Sequence, residues 1–269
     1  MPLAAPTSPD LIHYLPIATT GLSIAFLVVL LRRGRLRSFP PHLTWWAIGV
    51  LFYGVGTAIE SVITLWGNSP LLLRAWYVAG ALLGGYPLGT GSAYLLCRRR
   101  TAHALTAISG SIVLALSVAT ALSPVVAANL ESHRPTGAAL GWTWIRACTP
   151  LVNLYAAVFL IGGAIGSALR FAFPTNSAAR DGRRAMGTAL IAMGGLLPGI
   201  GGGLAKSGMV EALYVGEFLG LVMIWIGHGI CASVPPTSPR LTPRGAGADA
   251  PPPPPRSHGT VDEAPAASS

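Results

Sequence analysis

The stretch LIHYLPIATTGLSIAFLVVLL, residues 11–31, runs directly into RRGRLR, residues 32–37. Its 21 residues contain no Asp, Glu, Lys or Arg. At about 1.5 Å per residue, a helix of that length crosses the roughly 30 Å hydrocarbon core of a bilayer. Four arginines then stop it. No Lys or Arg precedes it, so it lacks the positive leader of a cleaved signal peptide. It reads as a retained helix with its N-terminus outside.

Six more apolar blocks follow, at about 43–66, 71–97, 103–123, 147–170, 185–205 and 210–232. Backbone inside a bilayer must satisfy its own hydrogen bonds, and blocks of this length do so as helices. Of the 269 residues, 52% are hydrophobic and only 10% are charged. A soluble domain carries about 25% charged residues, so this chain has too little polar surface for one. The fold class expected is all-α, a polytopic membrane protein with seven transmembrane helices over residues 1–232. Residues 233–269 differ sharply: five consecutive prolines at 251–255 lie among Ser, Thr, Gly and Ala. Such a segment cannot bury a core and reads as a disordered Pro-rich tail. It either docks a partner through residues 251–256 or stays solvated.

The basic residues orient the bundle. The net charge is +9, and 17 of the 18 basic residues are arginine. Fourteen of the 18 follow spans one, three, five and seven; Arg74, Arg134, Arg146 and Lys206 fall on the other side. The positive-inside rule therefore puts the N-terminus outside and the C-terminus in the cytoplasm, in the inner (plasma) membrane. Loops this short form no reading surface for nucleic acid, so the charge points to anionic lipid. Trp45 and Trp46 mark the inner edge of span two; Trp66, Trp76, Trp142 and Trp144 mark outer edges. The long outer connection, 124–146, places its tryptophan pair in the headgroup layer or folds as a short lid.

Ionisable residues inside a membrane are costly, so each is a functional candidate. Glu60 stands six residues before Trp66, about 9 Å inside the outer edge. Glu217 stands at similar depth, six residues after Glu211. Asn153 on span five, and Arg74 and Arg146 at the outer ends of spans three and five, complete one polar layer. Tyr14, Tyr77, Tyr155, Tyr214 and His13 border it. Glu60, Arg74, Asn153 and Glu217 are the candidate ligand-binding residues, facing a small polar or cationic ligand. In a structural reading, Glu60 pairs with Arg74, and Glu217 with Arg146, to fix the helices.

No nucleophile–base pair points to catalysis. His42, His103 and His228 share the inner side, but arginines beside two of them oppose a metal. Cys97, Cys148 and Cys231 have no metal spacing and read as small apolar residues. No catalytic residue, metal or cofactor is expected. Small-xxx-small pairs recur at Gly80/Gly84, Gly85/Gly89, Gly162/Gly166, Gly195/Gly199, Gly199/Gly203 and Gly216/Gly220, where helices approach closely. Pro87 and Pro198 should kink spans three and six.

Spans two and three contain Trp45-Trp46-Ala-Ile-Gly-Val-Leu-Phe-Tyr-Gly-Val-Gly-Thr-Ala-Ile-Glu60, then Arg74-Ala-Trp76-Tyr77. This aromatic–acid–aromatic rhythm, over some 60 residues, resembles the seven-helix N-terminal sensor module of bacterial histidine kinases. No kinase follows here, so the resemblance implies a sensor-like bundle acting through a cytoplasmic signalling protein. Seven helices also suggest the microbial rhodopsins, but that family's retinal linkage needs a lysine in the seventh helix. Span seven has none. The function expected is a receptor-like or accessory bundle sensing a small ligand from the outer side. The alternative is a small transporter or proton-coupled carrier using Glu60 and Glu217.

Overall fold

Prolines and short polar side chains start several of the helices. The computed structural model describes residues 11–174, 181–207, 209 and 211–233. The Pro-rich tail falls outside the described residues, except that Ser233 still belongs to the last helix. Helix α1 (Leu15–Leu36) follows a single 3₁₀ turn at Leu11–Tyr14. Helix α2 (Pro41–Trp66) has proline in its first turn, where no backbone N–H is needed. It ends at Gly67, whose φ of 93° only glycine adopts freely. The third span is α3 (Pro70–Trp76), a π turn (Tyr77–Leu82) and α4 (Tyr86–Leu96). Ser69 caps it, accepting from the Leu72 N–H at 3.2 Å. Span four is α5 (Arg99–Leu122). Span five is α6 (Thr143–Ala156), a π turn (Ala157–Gly162) and α7 (Gly163–Ala172). Asp181 caps α8 (Gly182–Lys206), accepting from the Arg184 N–H at 3.0 Å. The last span is α9 (Glu211–Ser233).

All seven are long and apolar enough to cross a membrane. The chain is thus an all-α, multi-pass membrane bundle, and its polarity is inverted accordingly. Ile24, Leu51, Leu114, Leu151 and Leu154 face outward, while Thr57, Glu60, Thr90, Ser92 and His228 are buried. In lipid the apolar residues gain nothing by facing inward, so the interior is free to hold polar groups.

Neighbouring contacts close a ring in the order α1, α2, third span, fifth span, α8, α9 and back to α1. Span four packs outside this ring, against the third and fifth spans. An apolar cluster of Phe26, Leu43, Val50, Leu88, Leu160 and Leu221 fills the ring's middle.

The expected break at Pro87 occurs. Proline offers no N–H to the Leu83 carbonyl, and the Leu83 N–H reaches back five residues to Val78 at 2.9 Å. Pro198 leaves α8 continuous. The glycine contacts differ from the expected pairs. A Cβ on Gly199 or Gly203 would touch nothing, whereas Gly187, Gly194 and Gly201 meet the backbone of α9. Gly216, Gly220 and Gly227 answer from α9, so Gly216/Gly220 is confirmed as a close approach. The seven-residue spacing of the α8 glycines keeps one seam facing one partner along its length. Gly85 and Gly89 lie against Ala156 of span five, while Gly166 faces open space.

A Cβ at Gly194 would stand 2.5 Å from the Gly220 carbonyl oxygen. Gly194→Ala should therefore push α8 from α9 and cost about 1–3 kcal/mol. Gly199→Ala should be neutral or slightly stabilising. Thermal unfolding of the purified variants in detergent checks the pair; equal effects would refute the seam.

Candidate functional site

Two carboxyls meet inside the bundle. Glu60 is 2% exposed on α2. Its Oε1 accepts from the Trp76 indole N–H at 2.7 Å. The Glu217 carboxyl, on α9, lies within hydrogen-bonding reach of it. Neither acid forms an ion pair among the described residues. Two ionised carboxylates are acceptors only, so in contact they repel unless a hydrogen or a cation lies between them.

Arg74 does not reach Glu60. Its Nε donates to the Ser123 carbonyl at 2.9 Å, tying the third span to the end of α5. Arg146 is exposed, and so is Asn153. Of the four expected ligand-binding residues, the fold brings Glu60 and Glu217 together and leaves Arg74 and Asn153 apart from them. The structural pairings Glu60–Arg74 and Glu217–Arg146 are not formed. Trp76, expected at the membrane edge, turns inward as the donor to Glu60.

The residues around the acids are polar and aromatic. The Tyr53 hydroxyl donates to the Glu217 backbone carbonyl at 2.9 Å. Tyr214, one turn from Glu217, is 1% exposed and packs edge-on against His13, ring centroids 5.9 Å apart. Eight buried side-chain polar atoms lack a partner among the described residues. Six gather at this end: on His13, Glu60, Thr64, Asn68, Tyr214 and Glu217. Native interiors leave few such atoms, and each calls for a water, an ion or a functional role. They recur at four-residue intervals, at Glu60 and Thr64 on α2 and at Asn68 just past its end, leading from the arginine-poor end down to the acids.

The connection between α5 and α6 covers that end. Its strands of chain join at the Val125–Leu140 bridge. Asn68 donates its backbone N–H to the Ser132 carbonyl at 2.7 Å, and the His133 ring meets the Thr64 carbonyl at 3.1 Å. Arg134 and Glu131 pair at 2.6 Å. That hydrogen bond holds the Arg134 guanidinium above its usual range, against the opposing effect of burial. Trp142 and Trp144 stack and are exposed. The connection thus packs against the end of α2 and leaves its tryptophan pair exposed.

At the opposite end a cavity of about 590 Å³ opens among Arg33, Arg37, His42, Trp46, Arg184 and His228. The sequence reading grouped His42 with His103 and His228 by side alone. The fold joins His42 and His228 through Trp46 and sends His103 elsewhere, to the Tyr94 hydroxyl at 2.8 Å. Helical spacing held part of this signal: His42 and Trp46 are four residues apart on α2. Among the described residues, no group of three His, Cys, Asp or Glu side chains could hold a metal ion. The three cysteines are free and half-buried.

No protein-family model, curated protein or solved structure matches this chain.

Trp76→Phe removes the donor to Glu60 while keeping the ring. It should cost about 1–3 kcal/mol in wild type, the range for orphaning a buried acceptor. In a Glu60→Gln background the cost should change measurably, because the two groups are in contact. A double-mutant cycle by thermal unfolding tests this; additive effects would break the assignment.

Proposed function

We propose that this chain is a receptor-like bundle of the inner (plasma) membrane that reads a small cation at the Glu60–Glu217 pair. The observation that carries it is the buried Glu60 carboxyl meeting that of half-buried Glu217, whose Oε2 is shielded from solvent, with no cationic partner among the described residues. Such a pair attracts a monovalent cation strongly, since a cation removes both the like-charge repulsion and the unmet hydrogen bonds. Trp76, Tyr53 and Tyr214 surround the pair with aromatic rings, whose faces suit an ammonium or alkali ion. At rest a shared hydrogen takes the cation's place.

The ligand enters from the arginine-poor side, which the basic-residue count makes the outer one. The polar atoms of Asn68, Thr64 and His13 mark the way in, under the loop around His133 and Arg134. Output passes to a cytoplasmic signalling protein, as the likeness of spans two and three to kinase sensor modules also supports. A second reading, a proton-coupled carrier, has its own support. One end of the ring is covered by a loop and the other opens into a cavity, the asymmetry of an alternating-access protein held in one state.

The test is thermal unfolding of the full chain against a panel of alkali and alkylammonium chlorides at fixed pH. A ligand at 100 times its Kd stabilises by about 2.7 kcal/mol. Wild type should rise with one member of the panel. Glu60→Gln and Glu217→Gln, which keep a hydrogen-bonding group in place, should fold and lose that response. A flat response in wild type overturns the cation site. Proton-linked uptake in vesicles, lost in either variant, would select the carrier over the receptor.

A further inference from the structure

The cavity at the arginine-rich end has the size of a small-molecule site, which runs to roughly 300–1,000 Å³. Every member of the six-membered ring contributes to its wall, from Arg33 on α1 to His228 on α9. Four arginines border it: Arg33, Arg37, Arg170 and Arg184. No Asp or Glu among the described residues lines it. Asp181, outside the lining, engages Arg184 at 3.3 Å. Arg33, Arg37 and Arg170 make no ion pair or side-chain hydrogen bond among the described residues. Guanidinium groups brought together at one mouth repel unless an anion joins them.

Orientation alone accounts for arginines at this end, but not for their convergence. Arg98, Arg99 and Arg100 lie at the same end and do not line the cavity. Nor does orientation account for the polar groups deeper in. His228 is only 7% exposed, lies in the cavity wall, and leaves Nδ1 without a partner. The Trp46 indole N–H, in the same wall, is also unpartnered. Ring contacts of His228 with Phe26 at 5.6 Å and Trp46 at 6.0 Å hold the imidazole in place. These two are the remaining members of the eight orphaned buried atoms. Leu96, Phe159, Leu160 and Phe171 supply apolar wall, and Ser92, Ser167 and Thr188 also line it.

We propose that this cavity binds a phosphate- or carboxylate-bearing anion with an apolar portion. The head lies among Arg33, Arg37, Arg170 and Arg184, where forked guanidinium donors match its oxygens. The Trp46 N–H and the His228 ring supply hydrogen bonds deeper in. The apolar portion lies against Leu96, Phe159 and Leu160. An anionic membrane lipid and a soluble organophosphate both fit this description. The site is separate from the acid pair: Val50 and Leu221 of the apolar cluster lie between the two along α2 and α9.

The experiment uses the full chain purified in a neutral detergent, with affinity read by thermal-shift titration. The probes are monododecyl phosphate, inorganic phosphate, and nanodiscs of phosphatidylglycerol or phosphatidylcholine. Monododecyl phosphate should raise the melting temperature of wild type. The Arg33→Gln/Arg37→Gln variant, and separately Arg170→Gln, should weaken it by about tenfold or more. The triple variant Arg98→Gln/Arg99→Gln/Arg100→Gln should keep wild-type affinity. A response to phosphatidylglycerol over phosphatidylcholine, with the same variant pattern, identifies lipid as the source. An equal response to inorganic phosphate identifies a soluble anion. No response to any probe overturns the site. So does equal weakening in the triple variant, since generic charge then explains the binding.

Discussion

Hydrocarbon offers no hydrogen-bond partner, and every polar group in this chain is arranged around that constraint. Thr19, Ser23, Ser61, Thr90, Ser92 and Thr149 each return their hydroxyl to the carbonyl four residues back on their own helix. Thr149 and Thr90 also meet the Tyr77 and Tyr155 hydroxyls, across the third and fifth spans. Among the described residues, the buried side-chain atoms that stay unmet lie in two places, the acid layer and the arginine-rich cavity. Polar groups in a membrane interior are expensive. Their confinement to two sites among the described residues sets those sites apart from the rest of the interior.

Close helix contact is the second element, and glycine supplies it. Without a hydrophobic drive between helices in lipid, van der Waals contact between backbones has to hold them together. The α8–α9 seam does this, with Gly194 against Gly220 and Gly187 against Gly227. It fixes the rotation of α9 and so aims Glu217 toward α2 and His228 toward α1. On the other side of the ring, Gly56 meets the backbone of Gly80. That approach brings Trp76, one turn before Gly80, within reach of Glu60. The acid pair therefore rests on two glycine contacts, one on each flank.

Between the two polar regions lies the apolar cluster of Phe26, Val50, Leu88 and Leu221. It separates Glu60 from His42 by eighteen residues of α2, about 27 Å of helix. The third and fifth spans, which border this cluster, are the two that contain π turns. Widened turns of this kind are frequent at functional sites. Here they occur on adjacent helices, where Gly85 and Gly89 touch Ala156. The ring thus has rigid glycine-sealed helices on one side and interrupted ones on the other.

Length and hydropathy alone determined the seven spans, the all-α class and the depth of each polar residue. The structure keeps the seven spans and the all-α class, and it places Glu60 and Glu217 inside the bundle. Depth is a count along a helix, and a sequence supplies it directly. Rotation about the helix axis is not. Asn153 has the right depth but faces outward, Arg74 reaches the Ser123 carbonyl instead of Glu60, and the α8 seam uses Gly194 rather than Gly195. The meeting of Arg33, His42, Arg170, Arg184 and His228 around one cavity joins residues far apart in the chain. Only packing between helices decides such a meeting. In lipid that packing depends on which small residues let backbones touch, a choice among many glycines that no single span can make by itself.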